Sequence, residues 1–105
     1  MVYLLSNMFP SNYPIERIPK GYEQLIVSTT AVALTIPTGA TRAVIKVDAQ
    51  PVRLRNDGVD PTATVGYLLK ADDTIELTSE GLTGAKFIRD GGTDGVLNII
   101  YYGSQ

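Results

Sequence analysis

Between residues 42 and 55 apolar and polar side chains alternate with a period of two. Ala43, Ile45 and Val47 stand against Arg42, Lys46 and Asp48, and Val52 and Leu54 stand against Arg53 and Arg55. Successive side chains of an extended chain point to opposite faces, so this rhythm predicts strands with one face in a core and the other in water. The same reading places strands at Gln24–Thr29, Ala31–Ile36, Arg42–Asp48, Val52–Asn56, Thr64–Leu69, Thr74–Thr78, Ala85–Asp90 and Val96–Tyr102. Val, Ile, Thr and Tyr dominate these runs, as suits residues that pack on a pleated surface.

Turn formers separate the runs: "PTGA" at 37–40, "AQP" at 49–51, "KADD" at 70–73, "SEGLTG" at 79–84 and "DGGTDG" at 90–95. Gly, Asn and Asp reach positive φ at low cost, and Pro at a loop edge fixes φ and cannot extend a central strand. Many short strands with turns about every ten residues predict an all-β fold, a single jelly-roll-like β-sandwich of about eight antiparallel strands over residues 23–105. No helix-length amphipathic segment is visible.

The first 22 residues read differently. Pro10, Pro14 and Pro19 with Asn7, Ser11, Asn12 and Gly21 break any period, which predicts an extended N-terminal arm over residues 1–22. The arm is nevertheless apolar: Tyr3, Leu4, Leu5, Met8, Phe9, Tyr13, Ile15, Ile18 and Tyr22 are costly to leave in water. It is expected to lie on its own domain, on a sister subunit or on a different protein. Of these residues, Tyr3, Leu4, Leu5, Met8, Phe9, Tyr13 and Ile15 are candidate interface residues.

Composition narrows the function more than it defines it. The 105 residues suit one domain, and a net charge of −2 offers no broad basic field for a phosphate backbone, so nucleic acid is not an expected partner. With no Cys and no His, thiolate chemistry, disulfides, the commonest general base and the commonest transition-metal ligand are all missing. No cofactor and no metal site are expected. The start lacks a basic flank and a cleavage site for a secretory signal, and no run approaches the length of a membrane span, so no membrane partner is expected either.

The residues that could carry chemistry each have a simpler reading. "VRLRNDGVDPTATVGYLL" at 52–69 reads as strand, loop and strand; Asn56, Asp57 and Asp60 are too few oxygen ligands for calcium and match no EF-hand spacing. Asp90 and Asp94 in "DGGTDG" faintly resemble a calcium-binding β-helix repeat, but that architecture needs many copies. Asp72 and Asp73 point to opposite faces in extended chain and form no carboxylate dyad. No serine sits in a nucleophile motif, so an enzyme is not expected. Arg53 and Arg55 share one strand face roughly 7 Å apart and could each take a carboxylate on a neighbouring protein. Of Tyr101 and Tyr102 one must point outward, and Tyr102 is the candidate interface aromatic.

The segments "IPTGATRAVIKVDAQPVRLRNDGVDPTATVGYLLKADDTIEL" and "KFIRDGGTDGVLNIIYYG" resemble small virion structural proteins of tailed bacteriophages, over about Leu34 to Gly103. The resemblance implies a capsid decoration, or cement, protein: a β-sandwich on the capsid exterior, made in the host cytoplasm, that bridges major capsid protein subunits as a dimer or trimer. No site residue carries over from it, and the apolar arm departs from its pattern. A tail-fibre or baseplate component or a carbohydrate-binding β-sandwich module is the rival reading, weakened by the absence of Trp and the scarcity of loop aromatics. A small hydrolase ranks third, since the sequence has no His and no serine in a nucleophile motif.

Overall fold

The computed structural model describes residues 18–104. Its elements are β1 (Ile18–Val27), β2 (Val32–Ala33), β3 (Arg42–Asp48), β4 (Val52–Arg55), β5 (Tyr67–Leu69), β6 (Thr74–Thr78), α1 (Ser79–Thr83), β7 (Lys86–Arg89) and β8 (Gly95–Gly103). They build two four-stranded antiparallel sheets, the first in the order β1-β8-β3-β6 and the second β2-β7-β4-β5. The pairing is nested: β1 with β8, β2 with β7, β3 with β6 and β4 with β5, while β3–β8 and β4–β7 contacts complete the sheets.

One core joins the sheets into a sandwich-like body. Val27, Ala43, Ile45, Val47, Leu97, Ile99 and Tyr101 from the first sheet form a single buried cluster with Val52, Leu54, Leu69 and Phe87 from the second. The alternation seen in sequence is the reason: β3 buries Ala43, Ile45 and Val47 and turns Val44 and Lys46 outward, and β8 buries every second residue from Gly95 to Gly103.

Four local features differ from the sequence expectation. The first strand begins at Ile18, so residues 18–22 leave the expected arm and belong to β1; a bulge between Pro19 and Gly21 lets Lys20 stand as an extra residue against β8. Pro19 is tolerated because it lies near the start of an edge strand. The expected strand Ala31–Ile36 shrinks to Val32–Ala33, although Leu34 and Ile36 still pack against the core. In "SEGLTG" the expected turn winds into the single turn of α1, which inserts Leu82, 1% exposed, under the sheet edge. The Thr64–Leu69 expectation is likewise trimmed to Tyr67–Leu69, because residues 56–66 are held as a loop by contacts described below.

Positive φ in the turns falls on Gly39 and Asp72 as composition predicts, but also on Ala49 at φ +68 and Ser79 at φ +52. Asp72 takes φ +73 in the β5–β6 turn, where the Lys70 amide donates to Asp73 Oδ2 at 2.8 Å and the Val47 amide donates to the Asp73 carbonyl at 2.9 Å. This turn is thereby hydrogen-bonded to β3.

Candidate functional site

The outer face of the second sheet carries the two arginines expected to meet a neighbour. Arg53 is turned onto its own molecule: Nε lies 2.7 Å from Asp90 Oδ1 and 3.1 Å from the Ala63 carbonyl, and Nη1 donates to the Gly66 carbonyl at 3.1 Å. Its planar fork spans strand, loop and the start of the β7–β8 connection, which explains how the 56–66 loop is held down. Gly66 is required there, because φ is +148° and a Cβ would stand 3.0 Å from Arg53 Cβ and 3.3 Å from the Leu54 carbonyl. Arg55 forks onto Asp57 at 3.0 and 2.5 Å; that bond raises the Arg55 pKa and lowers that of the Asp57 carboxyl, both groups remaining at the surface.

The carboxylates weighed as metal ligands are held by cations in the same manner. Asp60 pairs with Lys86 at 3.0 Å, Asp90 with Arg53 at 2.7 Å and Asp94 with Arg89 at 2.7 Å. Among the described residues no three His, Cys, Asp or Glu side chains gather where an ion could sit, and no helix is long and apolar enough to cross a membrane. Beside Arg55, an open depression of about 330 Å³ is lined by Leu54, Arg55, Asn56, Asp57, Val65, Gly66 and Tyr67. Tyr67 is the most exposed large apolar residue described, at 70%.

Val59, Val65 and Leu68 join Tyr67 as exposed apolar groups on β5 and the loop before it, and the outer face of the first sheet carries a second set. Register places Tyr22 beside Ile100 and Ile100 beside Val44, then Gln24, Asn98 and Lys46 in the next row, then Ile26, Val96 and Asp48. Tyr22, Ile26 and Ile100 are exposed by 63%, 55% and 42%. Between the apolar rows the polar side chains bond to one another. Tyr22 Oη donates to Asn98 Oδ1 at 2.5 Å, Gln24 Nε2 lies 3.4 Å from the same oxygen, Asn98 Nδ2 donates to Asp48, and Lys46 Nζ lies 3.4 Å from Asp48 Oδ1. These bonds lower the cost of covering the Tyr22 hydroxyl and the Asn98 side chain with another protein. Tyr102 lies at one end of this face under the Arg42 guanidinium, 5.5 Å from its carbon to the ring centroid, and Arg42 also pairs with Glu76.

Beneath that face, Tyr101 points inward, 1% exposed, and donates to Glu23 Oε1 at 2.7 Å; the Thr35 amide donates to the same oxygen at 3.1 Å. Burial first, and this bond second, push the Tyr101 pKa well up.

The candidate residues are thus distributed over different places. Tyr3, Leu4, Leu5, Met8, Phe9, Tyr13 and Ile15 lie outside the described residues. Arg53 and Arg55 are engaged within the second sheet, and Tyr102 lies on the first. Sequence reasoning missed Ile26, Ile100 and Tyr67 as surface apolar groups. A signal existed for Ile100, since adjacent Ile99 and Ile100 on a strand cannot both face one core. No protein-family model matches the chain, and no curated protein or solved structure shows significant similarity to it.

Proposed function

We propose that this protein is a structural component of a tailed-phage virion, a decoration protein that binds the outside of the capsid and bridges major capsid protein subunits. The observation that carries the reading is the outer face of the first sheet, where Tyr22, Ile26 and Ile100 remain exposed around an internally bonded polar row. Exposed apolar residues grouped on one flat face mark a surface used for contact with other polypeptides. The strand order supports it by analogy of fold: nested pairing of β1–β8, β2–β7, β3–β6 and β4–β5 is what a long antiparallel ribbon folded over on itself produces, and we read it as the jelly roll common in viral capsid domains. The mechanism is mass action: a protein that binds only the assembled lattice raises the free energy needed to open it.

The test uses purified capsids that lack the protein. Added protein is expected to pellet with them at saturable stoichiometry, and the double variant I26K/I100K to stay in the supernatant while keeping its melting temperature. Failure of the unaltered protein to pellet would overturn the reading.

One observation favours a second reading, a carbohydrate-binding module. The exposed Tyr67 ring beside Arg55, Asn56 and Asp57 offers an apolar platform next to planar polar groups around an open depression. Binding of a host glycan that is lost in Tyr67→Ala, with no pelleting on capsids, would select it.

A further inference from the structure

We infer that the protein forms a twofold dimer by pairing β1 with β1 of a second copy, antiparallel and centred on Gln24. Strand β1 is an edge strand of ten residues, bonded to β8 on one side only. Among the described residues no backbone hydrogen bond reaches its other edge. A row of unpaired N–H and C=O groups of this length is a template for another strand.

Each of the other three edges is blunted. β2 has two residues and β5 three, and β6 carries Glu76, engaged by Arg42, in the middle of its outer face. On β1 the outward positions beyond the bulge are Tyr22, Gln24 and Ile26, all uncharged, and the charged inward position, Glu23, is held by Tyr101 and Thr35. Pro19, Lys20 and the bulge blunt only the first three residues of β1; from Gly21 to Val27 the outward face carries no charge, and the one inward charge, Glu23, is already bonded within the molecule.

The register follows from the bulge. Regular pairing starts at Gly21 and ends at Val27, and the centre of that segment is Gln24. The antiparallel pairing of two identical copies that uses the whole regular segment puts the dyad there. Tyr22 then faces the partner subunit's Ile26, and Ile26 the partner subunit's Tyr22, an aromatic and β-branched cross-strand pair made twice, with the two Gln24 side chains meeting on the axis. The two first sheets become one eight-stranded sheet, and the exposed apolar face doubles in width. This deepens the capsid-staple reading by giving each dimer two docking faces and hence avidity, while the dimer itself is measured without any capsid.

The absence of cysteine makes the test direct. In the full chain, Gln24→Cys places two thiols opposite each other, where Cα atoms about 4.5 to 5.5 Å apart suit a disulfide. Mild oxidation is expected to convert it to a species of twice the 11.3 kDa chain mass. Tyr22→Cys alone stays single, because its copies would be four residues out of line, roughly 13 Å along the strands. Mixed with Ile26→Cys it is expected to give the crossed dimer. Sedimentation of the unaltered protein is expected to show the doubled mass, and Gln24→Lys, which sets like charges on the dyad, the single mass with an unchanged circular dichroism spectrum. A single-mass species at all concentrations, or Tyr22→Cys linking to itself as readily as Gln24→Cys, overturns the inference. Capsid pelleting by a monomer would overturn it while leaving the staple reading standing.

Discussion

Arg53 and Arg55 stand two residues apart on β4 with about equal exposure, yet they hold different partners. Arg53 bonds to a carboxylate and two carbonyls from two separate parts of the chain, the 56–66 loop and Asp90, whereas Arg55 bonds only to Asp57, two residues along. Hydrogen bonds involving a charged group contribute about 1.5 to 3 kcal/mol when partly buried, so Arg53→Ala is expected to lower stability by about 2 kcal/mol, with a smaller effect for Arg55→Ala. Denaturant titration of both variants checks this, and equal losses would assign Arg53 no special role. Arg53→Lys keeps the charge and loses the fork, so it is expected to fall with the alanine variant rather than the parent. Tyr101 gives a residue-scale effect that depends on pH. Its folded-state pKa is raised, so the phenol keeps its proton in the native protein after the unfolded chain has released it, near pH 10. Above that pH the unfolded state binds fewer protons than the native state, and the Tyr101 contribution to stability falls as pH rises; below it the contribution is complete. Tyr101→Phe is expected to cost about 1 kcal/mol at neutral pH by removing one donor from Glu23, and to lose the alkaline decline. The stability gap between parent and variant should therefore be constant below pH 9 and shrink above pH 10; a gap that widens instead would contradict the assignment.

At the scale of the element, the strands were legible wherever side chains alternate in character. β3 and β6 begin and end where the period-two pattern places them, because Ala43, Ile45 and Val47 must all reach one core and a one-residue slip would expose all three. β1 was harder to read. Its outward positions are Tyr22 and Ile26 and its inward ones include Glu23, so the polarity is inverted at the places where alternation would be sought, and Pro19 with Gly21 resembles loop composition. The inversion itself has physical meaning: Glu23 is stabilised inside by two donors, and Tyr22 and Ile26 are the residues left to meet another surface. α1 was invisible for a different reason. Five residues give only one helical turn, too short for a 3.6-residue period to show, and its formation depends on the buried seat of Leu82 rather than on propensity. Residues 57–63 read correctly as loop, but Asn56 and Thr64–Gly66 were expected as strand; the Arg53 clamp that holds them in the loop depends on Asp90, 37 positions away, which no local pattern reveals. The candidate site shared this limit: adjacency of Tyr22 and Ile100 is a matter of β1–β8 register, and register between strands at opposite ends of the chain is set only in the folded sheet.

For the whole molecule, the nested pairing decides how it must fold. Only β4 and β5 are both consecutive in sequence and paired; Ile18 lies opposite Gly103, and β2 and β3 wait for β7 and β6. Every pairing but β4–β5 joins residues far apart in sequence, and refolding is expected in the millisecond-to-second range typical of non-local β topologies. The same connectivity forbids independent melting of the two sheets. Both contribute to one buried cluster, and each crosses to the other after nearly every strand, so losing one exposes the inner face of its counterpart. Ile99, at 0% exposure on the central strand β8, is the sharpest place to probe this. Ile99→Ala is expected to cost about 2 to 5 kcal/mol through lost burial and the cavity left behind. Far-UV circular dichroism, which reports both sheets, and tyrosine fluorescence, sensitive to buried Tyr101, should shift together to one lower midpoint with unchanged denaturant dependence. Two separated transitions in the variant, with β-structure surviving after the Tyr101 signal is lost, would mean that the second sheet stands without the first, and the single shared core would be the wrong account of what holds the molecule together.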